Sequence, residues 1–178
     1  GVLPLASFPG KSTAYVEKGE MCLLFGERIA DKGRWGDFGG HKEKWEKYSS
    51  QVASRECYEE TGTWRIPHKD LAKKSNFILS RPSGYKIFVY KTLFVGEKRV
   101  HSNAKSWADR YNKGRMEDLS FDWVPSSSLI AAIKKNDSHL QTITGKNIRI
   151  WDPTFRTLRD AYNKMGDKDF RSALKKGK

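Results

Sequence analysis

Residues 55–62 read Arg-Glu-Cys-Tyr-Glu-Glu-Thr-Gly. Residues three and four apart on an α-helix share a face, so Glu56 would lie beside both Glu59 and Glu60, with Arg55 at the edge of the cluster. Like charges placed this way repel by roughly a few tenths of a kcal/mol per pair. A hard divalent cation relieves such repulsion, because Mg²⁺ takes oxygen ligands and commonly uses one or two carboxylates together with substrate phosphates. Gly62 follows at once and suits the C-cap that ends a helix. Upstream, Ser49 or Ser50 suits the N-cap. The pattern therefore predicts a helix to about Thr61, with Val52, Cys57 and Tyr58 supplying much of its inner face. For R-E-x-x-E-E alone, a solvated Glu-rich helix is the plain alternative.

Moving outward, Trp35-Gly36-Asp37-Phe38 reads as a short strand that runs into the pair Gly39-Gly40. Together with the octapeptide, this arrangement resembles the Nudix box, G-x5-E-x7-R-E-U-x-E-E-x-G-U, where U is a bulky apolar residue. Arg55, Glu56, Glu59, Glu60 and Gly62 match it one for one, and Cys57 fills the first U position. Thr63 fills the last U position poorly, which leaves that packing to Trp64. The chain departs from the pattern once. Gly40 and Glu46 have the family spacing, but eight residues separate Glu46 from Arg55. Counting back from Arg55 puts Lys47 where the family has glutamate. We read this as a one-residue insertion in the loop before the helix, which leaves the helix face untouched and the role of Glu46 open. The resemblance covers most of residues 1–130 in outline, and only the box is specific.

The resemblance implies hydrolysis of a nucleoside diphosphate linked to another group, with Mg²⁺ or Mn²⁺ as cofactor. Glu56, Glu59 and Glu60 would hold the metal, and Glu56 and Glu59 would be catalytic. A cation there would neutralise the diphosphate and lower the pKa of a bound water. Arg55 would orient a carboxylate through a charge-assisted bond. Gly39 and Gly40 would let the loop backbone approach the metal site. For the general base the later-loop candidate is Glu117, just before the apolar run Phe121–Val124; its plain alternative is a solvated charge beside Asp118. Glu46 ranks behind it. His41 would reach a phosphate, or is simply a polar loop residue. Trp35, Tyr85, Trp107 and Tyr111 are candidates for stacking on a base. Trp35 and Tyr85 read more readily as core or strand packing, whereas Trp107 and Tyr111 sit among charges.

A chain of 178 residues suits one domain spanning 1–178, large enough to bury most of its apolar surface. No apolar run approaches the ~20 residues of a membrane span, and the start does not resemble a signal peptide. The chain opens at Gly1 without an initiator Met, as a fragment would. Cys22 and Cys57 read as buried thiols of an intracellular, reducing compartment, cytoplasmic in the simplest case, and not as a disulfide framework. Neither has zinc-ligand spacing. A net charge of +13 and a pI near 9.7 favour polyanionic partners, nucleic acid first. No membrane partner is expected.

Along the chain, 1–8 and 13–16 read as a hairpin or as a strand with its loop, and Glu20–Ile29 as a buried strand. Ile66-Pro67 reads as the start of an extended segment. Phe77–Leu79 and Tyr85–Val95 read as strands around a turn at 81–84, the second covered on both faces. Residues 96–118 read as a long loop or a loop with a short helix. Phe121–Val124 is a predicted strand and Leu129–Lys135 a helix. A last helix runs to Met165, with Asp152 as N-cap and Pro153 in its first turn. The basic C-terminal segment from about 153 ends in a tail after Gly166 that reads as frayed. Lys164, Lys168, Arg171, Lys175, Lys176 and Lys178 would track a phosphate backbone or serve as a solvated helix. The fold class expected is α/β, a Nudix-like α/β/α sandwich around a mixed sheet.

Three functions follow. The first is a Nudix hydrolase acting on capped or 5′-phosphorylated RNA, as in mRNA decapping. The second is a Nudix hydrolase of small substrates: nucleoside triphosphates, dinucleoside polyphosphates, ADP-ribose or diphosphoinositol polyphosphates. The third is a non-catalytic RNA-binding module, against which the intact Arg55/Glu56/Glu59/Glu60 set argues.

Overall fold

The computed structural model describes residues 1–31, 33–81, 84–116 and 118–175. Its strands are β1 (Val2–Ser7), β2 (Met21–Arg28), β3 (Arg34–Gly36), β4 (Phe77–Ser80), β5 (Lys86–Lys91), β6 (Asp118–Pro125), β7 (His139–Gln141) and β8 (Asn147–Ile150). Its helices are α1 (Ser49–Thr61), α2 (His68–Lys74), α3 (Glu97–Tyr111), α4 (Ser126–Lys135), α5 (Asp152–Met165) and α6 (Asp167–Lys175).

The apolar run of β2 forms the spine of one sheet. β2 pairs antiparallel with β1, β3 and β6, and Cys22 faces both Ala6 of β1 and Pro125 of β6 across the ladders. The strand order is β4-β5-β1-β2-β3-β8-β7, with β6 on β2 outside that path. The pairs β1–β5 and β3–β8 are parallel and the others antiparallel, so the sheet is mixed. Both faces are covered. On one lie Leu3, Leu5, Leu23 and Phe25 with Leu129, Ile130, Phe155, Leu158, Phe170 and Leu174 of α4, α5 and α6. On the other lie Val2, Cys22, Leu24 and Phe88 with Ala53, Cys57, Leu71, Val100 and Ala104 of α1, α2 and α3. This two-sided burial is the α/β/α sandwich expected from the sequence, and β5, with Ile87 and Val89 on one face and Phe88 on the other, is covered on both sides as its pattern predicted.

Several elements differ from the sequence reading. Residues 96–118 are not mainly loop: α3 is a 15-residue helix. Its apolar stripe is only Val100, Ala104 and Ala108, spaced by four and buried against α1 and β6. Two of the three are alanines, so the stripe is faint by hydropathy even though the helix packs closely. Ile66-Pro67 opens α2, anchored by the buried Leu71, instead of an extended segment. Of the two readings of residues 1–16, the strand with its loop holds: β1 is followed by a loop through 13–16. From Asp167 to Lys175 the tail is not frayed, because α6 buries Phe170 and Leu174 in the core. Lys176 and Lys178 lie outside the described residues. Asp152 lies inside α5, whose N-cap is Trp151.

Candidate active site

The octapeptide lies at the end of α1, and Gly62 closes it with φ +58° and ψ 8°. A Cβ on Gly62 would stand 2.3 Å from the carbonyl oxygen of Asn103 in α3. Glycine is therefore required twice over, for the left-handed cap and for the close approach of α3. Trp64 packs edge-on against Trp123 at 6.2 Å, so it fills the apolar place that Thr63 leaves. The start of α1 differs from expectation. Neither serine caps it; the side-chain oxygen of Gln51 reaches back to accept from the backbone N–H groups of Lys47 and Tyr48 at 2.7 and 2.9 Å. Its inner face consists of Ser50, Ala53, Glu56, Cys57, Glu60 and Thr61, with Val52 and Tyr58 only half-buried.

Arg55 is the hub of the site. Its Nη1 lies 2.9 Å from Oε1 of Glu56 and 2.9 Å from Oε2 of Glu59. Its Nε donates to Oε1 of Glu46 at 3.0 Å, and its Nη2 donates to the carbonyl oxygen of His41 at 2.9 Å. One guanidinium thus joins three carboxylates and the loop after the paired glycine, a use that needs the forked geometry of arginine. The Arg55 guanidinium itself offsets part of the repulsion between Glu56 and Glu59.

Glu46 was underrated from sequence. It is 1% exposed, and besides Arg55 it accepts from the backbone N–H of Glu43 at 2.8 Å. Burial alone would raise its carboxyl pKa, but the bonds from Arg55 and Glu43 and the charges of Arg55 and Lys42 prevail and hold it below the usual glutamate range. Lys47, which strict counting placed in register, is exposed. The insertion is absorbed after Glu46, and the turn 43–46 delivers its carboxylate to Arg55.

Glu56 is 6% and Glu60 8% exposed, and the side chain of Glu59 is 28% exposed. Gly40 lies directly over Glu56: a Cβ there would fall 2.4 Å from Oε1. A Cβ on Gly39 would stand 2.6 Å from the Cα of Gly1. The loop with the paired glycine is held from behind by Asp37, whose Oδ1 accepts from Thr154 Oγ1 at 2.5 Å and from the Tyr85 hydroxyl. Burial and then the Asp37 charge push the Tyr85 phenol up, so it stays a proton donor.

One proposed substrate contact, Trp35, is corrected, and Tyr85 takes its packing reading. Trp35 is 2% exposed, belongs to the core, and has the Lys146 ammonium 4.4 Å from its ring centroid. Tyr85 is bound to Asp37 and packs edge-on against Trp151. His41 reaches the site through its backbone carbonyl. Glu117 lies outside the described residues. Its neighbour Asp118 is 4% exposed, with its carboxylate against Gly26. Trp107 and Tyr111, by contrast, are brought to α1. They line a cleft of about 570 Å³ with Tyr58, Arg65, Arg55 and Glu59.

Cys57 is fully buried, and burial with the nearby Glu60 charge pushes its thiol up, so it is no nucleophile. Cys22 is likewise a buried free thiol, pushed up to about 12. Among the described residues no group of three His, Cys, Asp or Glu side chains stands ready-made at metal-holding spacing. The donor chemistry nonetheless fits a hard cation. The available ligands are carboxylate oxygens, and Gly40 leaves open the space over Glu56 that a side chain would fill. Among the described residues no helix is long and apolar enough to cross a membrane.

Comparisons with known proteins give matches among solved structures. No family model matches the chain, and no curated protein does so. The structure is similar to a mutT/nudix family protein from Listeria innocua, at 13% identity over 91% of this chain and 89% of that one, with a TM-score of 0.44. It is also similar to RenU, a Nudix hydrolase from M. smegmatis, at 14% identity over 94% and 86%, with a TM-score of 0.43.

Proposed function

We propose that this protein is a divalent-metal-dependent pyrophosphohydrolase of the Nudix type, cleaving the diphosphate linkage of a nucleoside diphosphate joined to another group, at the capped or phosphorylated 5′ end of RNA. The observation that carries the reading is the Arg55 hub, which gathers Glu46, Glu56 and Glu59 beneath the Gly40 loop. Glu56, Glu59 and Glu60 would hold Mg²⁺ or Mn²⁺, which supplies charge neutralisation of the diphosphate and an acidified water. The chain's own part is positional. Arg55 fixes the carboxylates, Gly40 keeps the loop close, and the Asp37–Tyr85–Thr154 network braces that loop against α5.

RNA is favoured over small substrates by charge. The chain carries +13. In addition, His68, Lys69, Lys73 and Lys86 line a cleft of about 520 Å³ beside the N-terminus of α1. A single diphosphate with its metal needs few such cations, whereas a strand of phosphates uses many.

The test is incubation with Mg²⁺ or Mn²⁺ and a panel of capped RNA, ADP-ribose, diadenosine polyphosphates and 8-oxo-dGTP, with product identification. Metal-dependent release of a nucleoside diphosphate from capped RNA, lost with EDTA and in Glu59→Gln or Glu60→Gln, is the expected result. Turnover of the small substrates alone would remove the RNA reading, and wild-type rates in both variants would remove the site.

A further inference from the structure

The apolar stripe of α3 ends at Ala108 and accounts for its packing against α1 and β6. Trp107 and Tyr111 lie off that stripe. They face each other one turn apart, with ring centroids 5.6 Å apart and planes tilted by 43°. Trp107 is half-buried and Tyr111 is 63% exposed, so the fold leaves aromatic surface open in a region otherwise rich in charge. On the opposite wall the Arg65 guanidinium lies 5.8 Å from the Tyr58 ring centroid. The cleft between these walls holds about 570 Å³, and its floor includes Arg55 and Glu59.

We infer that this cleft between α1 and the C-terminal half of α3 is the subsite for the aromatic heterocycle of the substrate, a purine or pyrimidine base attached to the diphosphate. The inference rests on the proposed reading of the Arg55–Glu60 helix as the phosphate-cleaving site. A base is a planar π-system, and the cleft offers aromatic faces and planar guanidinium groups, the surfaces on which bases stack. Its volume lies within the range of small-ligand sites. Continuity decides the occupant: because Arg55 and Glu59 belong both to the cleft and to the carboxylate cluster, a base seated against Trp107 presents its diphosphate to Glu56, Glu59 and Glu60. The sequence offers Trp107 and Tyr111 as candidates for stacking on a base; α3 is the element that carries both to α1.

The experiment measures binding of ADP, GDP and pyrophosphate to the full chain in Mg²⁺ by calorimetry, for wild type, Trp107→Ala, Trp107→Phe and Tyr111→Ala. Stacking on one aromatic is worth enough that Trp107→Ala should raise the Kd of both nucleotides about tenfold while leaving pyrophosphate unchanged. Trp107→Phe should recover most of the loss. Tyr111→Ala, at an exposed position that cannot unfold the protein, should weaken both nucleotides in the same selective way. Equal effects on nucleotides and pyrophosphate, no effect on any, or no nucleotide binding by wild type would overturn the subsite. The hydrolysis panel is independent of this measurement: base-selective binding without hydrolysis would remove the catalytic reading and keep the subsite, and hydrolysis with nucleotide binding indifferent to Trp107 would do the reverse.

Discussion

Glu46 and Arg55 are nine residues apart in sequence and joined by a 3.0 Å bond from Nε to Oε1, with a second contact from Nη2 to Oε2 at 3.3 Å. The pair closes the loop that carries the paired glycine onto the middle of α1. It also fixes the register of the insertion, because Glu46 is in the bond and Lys47 is outside it. Glu46→Gln should therefore lower kcat and melting temperature, whereas Lys47→Ala should leave both near wild type. A thermal melt and a single-substrate assay on the two variants check this, and the reverse order of effects would mean that Lys47 holds the structural position.

Arg55→Ala removes the partner of a carboxylate whose side chain is fully buried and of two others beside it. Stripping one member from a buried ion pair costs about 3 kcal/mol, since the remaining charge keeps its desolvation penalty. Arg55 contacts carboxylates and a carbonyl, so its loss should lower kcat more than it raises KM. Arg55→Lys keeps the charge but cannot serve all these acceptors at once, so it should recover stability in part and activity little. A change confined to KM would instead make Arg55 a substrate anchor.

The box helix and the central strands were legible because each has a strong local signal: spaced carboxylates with a terminal glycine for α1, and a continuous apolar run for β2. What was not legible depends on tertiary partners. The stripe of α3 is two alanines and a valine, adequate against a neighbouring helix yet weak by hydropathy. β7 and β8 are three and four residues long and gain their place by pairing with each other and with β3. Among site residues, Glu46 was demoted by counting, because a one-dimensional spacing cannot show that a turn absorbs one residue. Trp35 is a stacking candidate by residue type alone, whereas its place on β3 puts its ring in the core.

Gly40→Ala tests the approach of the loop to Glu56. The added methyl would lie 2.4 Å from Oε1 and 2.6 Å from Cδ of Glu56. The far end of a flexible side chain can move aside, so the fold should survive. The displaced carboxylate cannot stay on Arg55 and serve the site at once. The expected outcome is a fall of more than tenfold in kcat with a melting temperature within a few degrees of wild type, about 1 kcal/mol or less in stability. Unchanged turnover would show that the position of Glu56 is not critical.

Acid should loosen the molecule in two places. The Glu46 carboxyl is held below its ordinary range, and the bond from Arg171, then that from Tyr162, lowers Asp167 from 3.8 to about 2. A carboxylate with a folded pKa below its unfolded one adds stability above the unfolded value and loses it as pH falls through the folded one. Stability should thus be level at neutral pH and decline below the ordinary carboxylate range, with the Asp167 share lost between 3.8 and about 2. Glu46→Gln should flatten the earlier part of that decline in melts taken from pH 7 to pH 2. A decline identical to wild type would remove the Glu46 contribution.

Salt dependence tests the proposed polyanion path. The basic segment after Gly166 is not a loose arm: α6 seats Phe170 and Leu174 in the core, and Asp167 already pairs with Arg171 at 2.9 Å and Lys134 at 3.2 Å. Deleting it would damage the fold, so charge variants are the proper probe. Lys69, Lys73 and Lys86 are exposed and line the cleft beside α1. Each phosphate neutralised on a single strand contributes about −0.7 to the slope of log K against log salt. Replacing the three lysines with glutamine should therefore reduce the steepness for 5′-phosphorylated RNA by about 2. Replacing the exposed Lys168 and Lys175 of α6 should change it little. Titrations of RNA affinity from low to high salt, with ADP-ribose as the small-ligand control, give the answer. A slope that follows the α6 lysines would move the path to the other helical layer, and no RNA affinity at low salt would leave a small-molecule pyrophosphohydrolase.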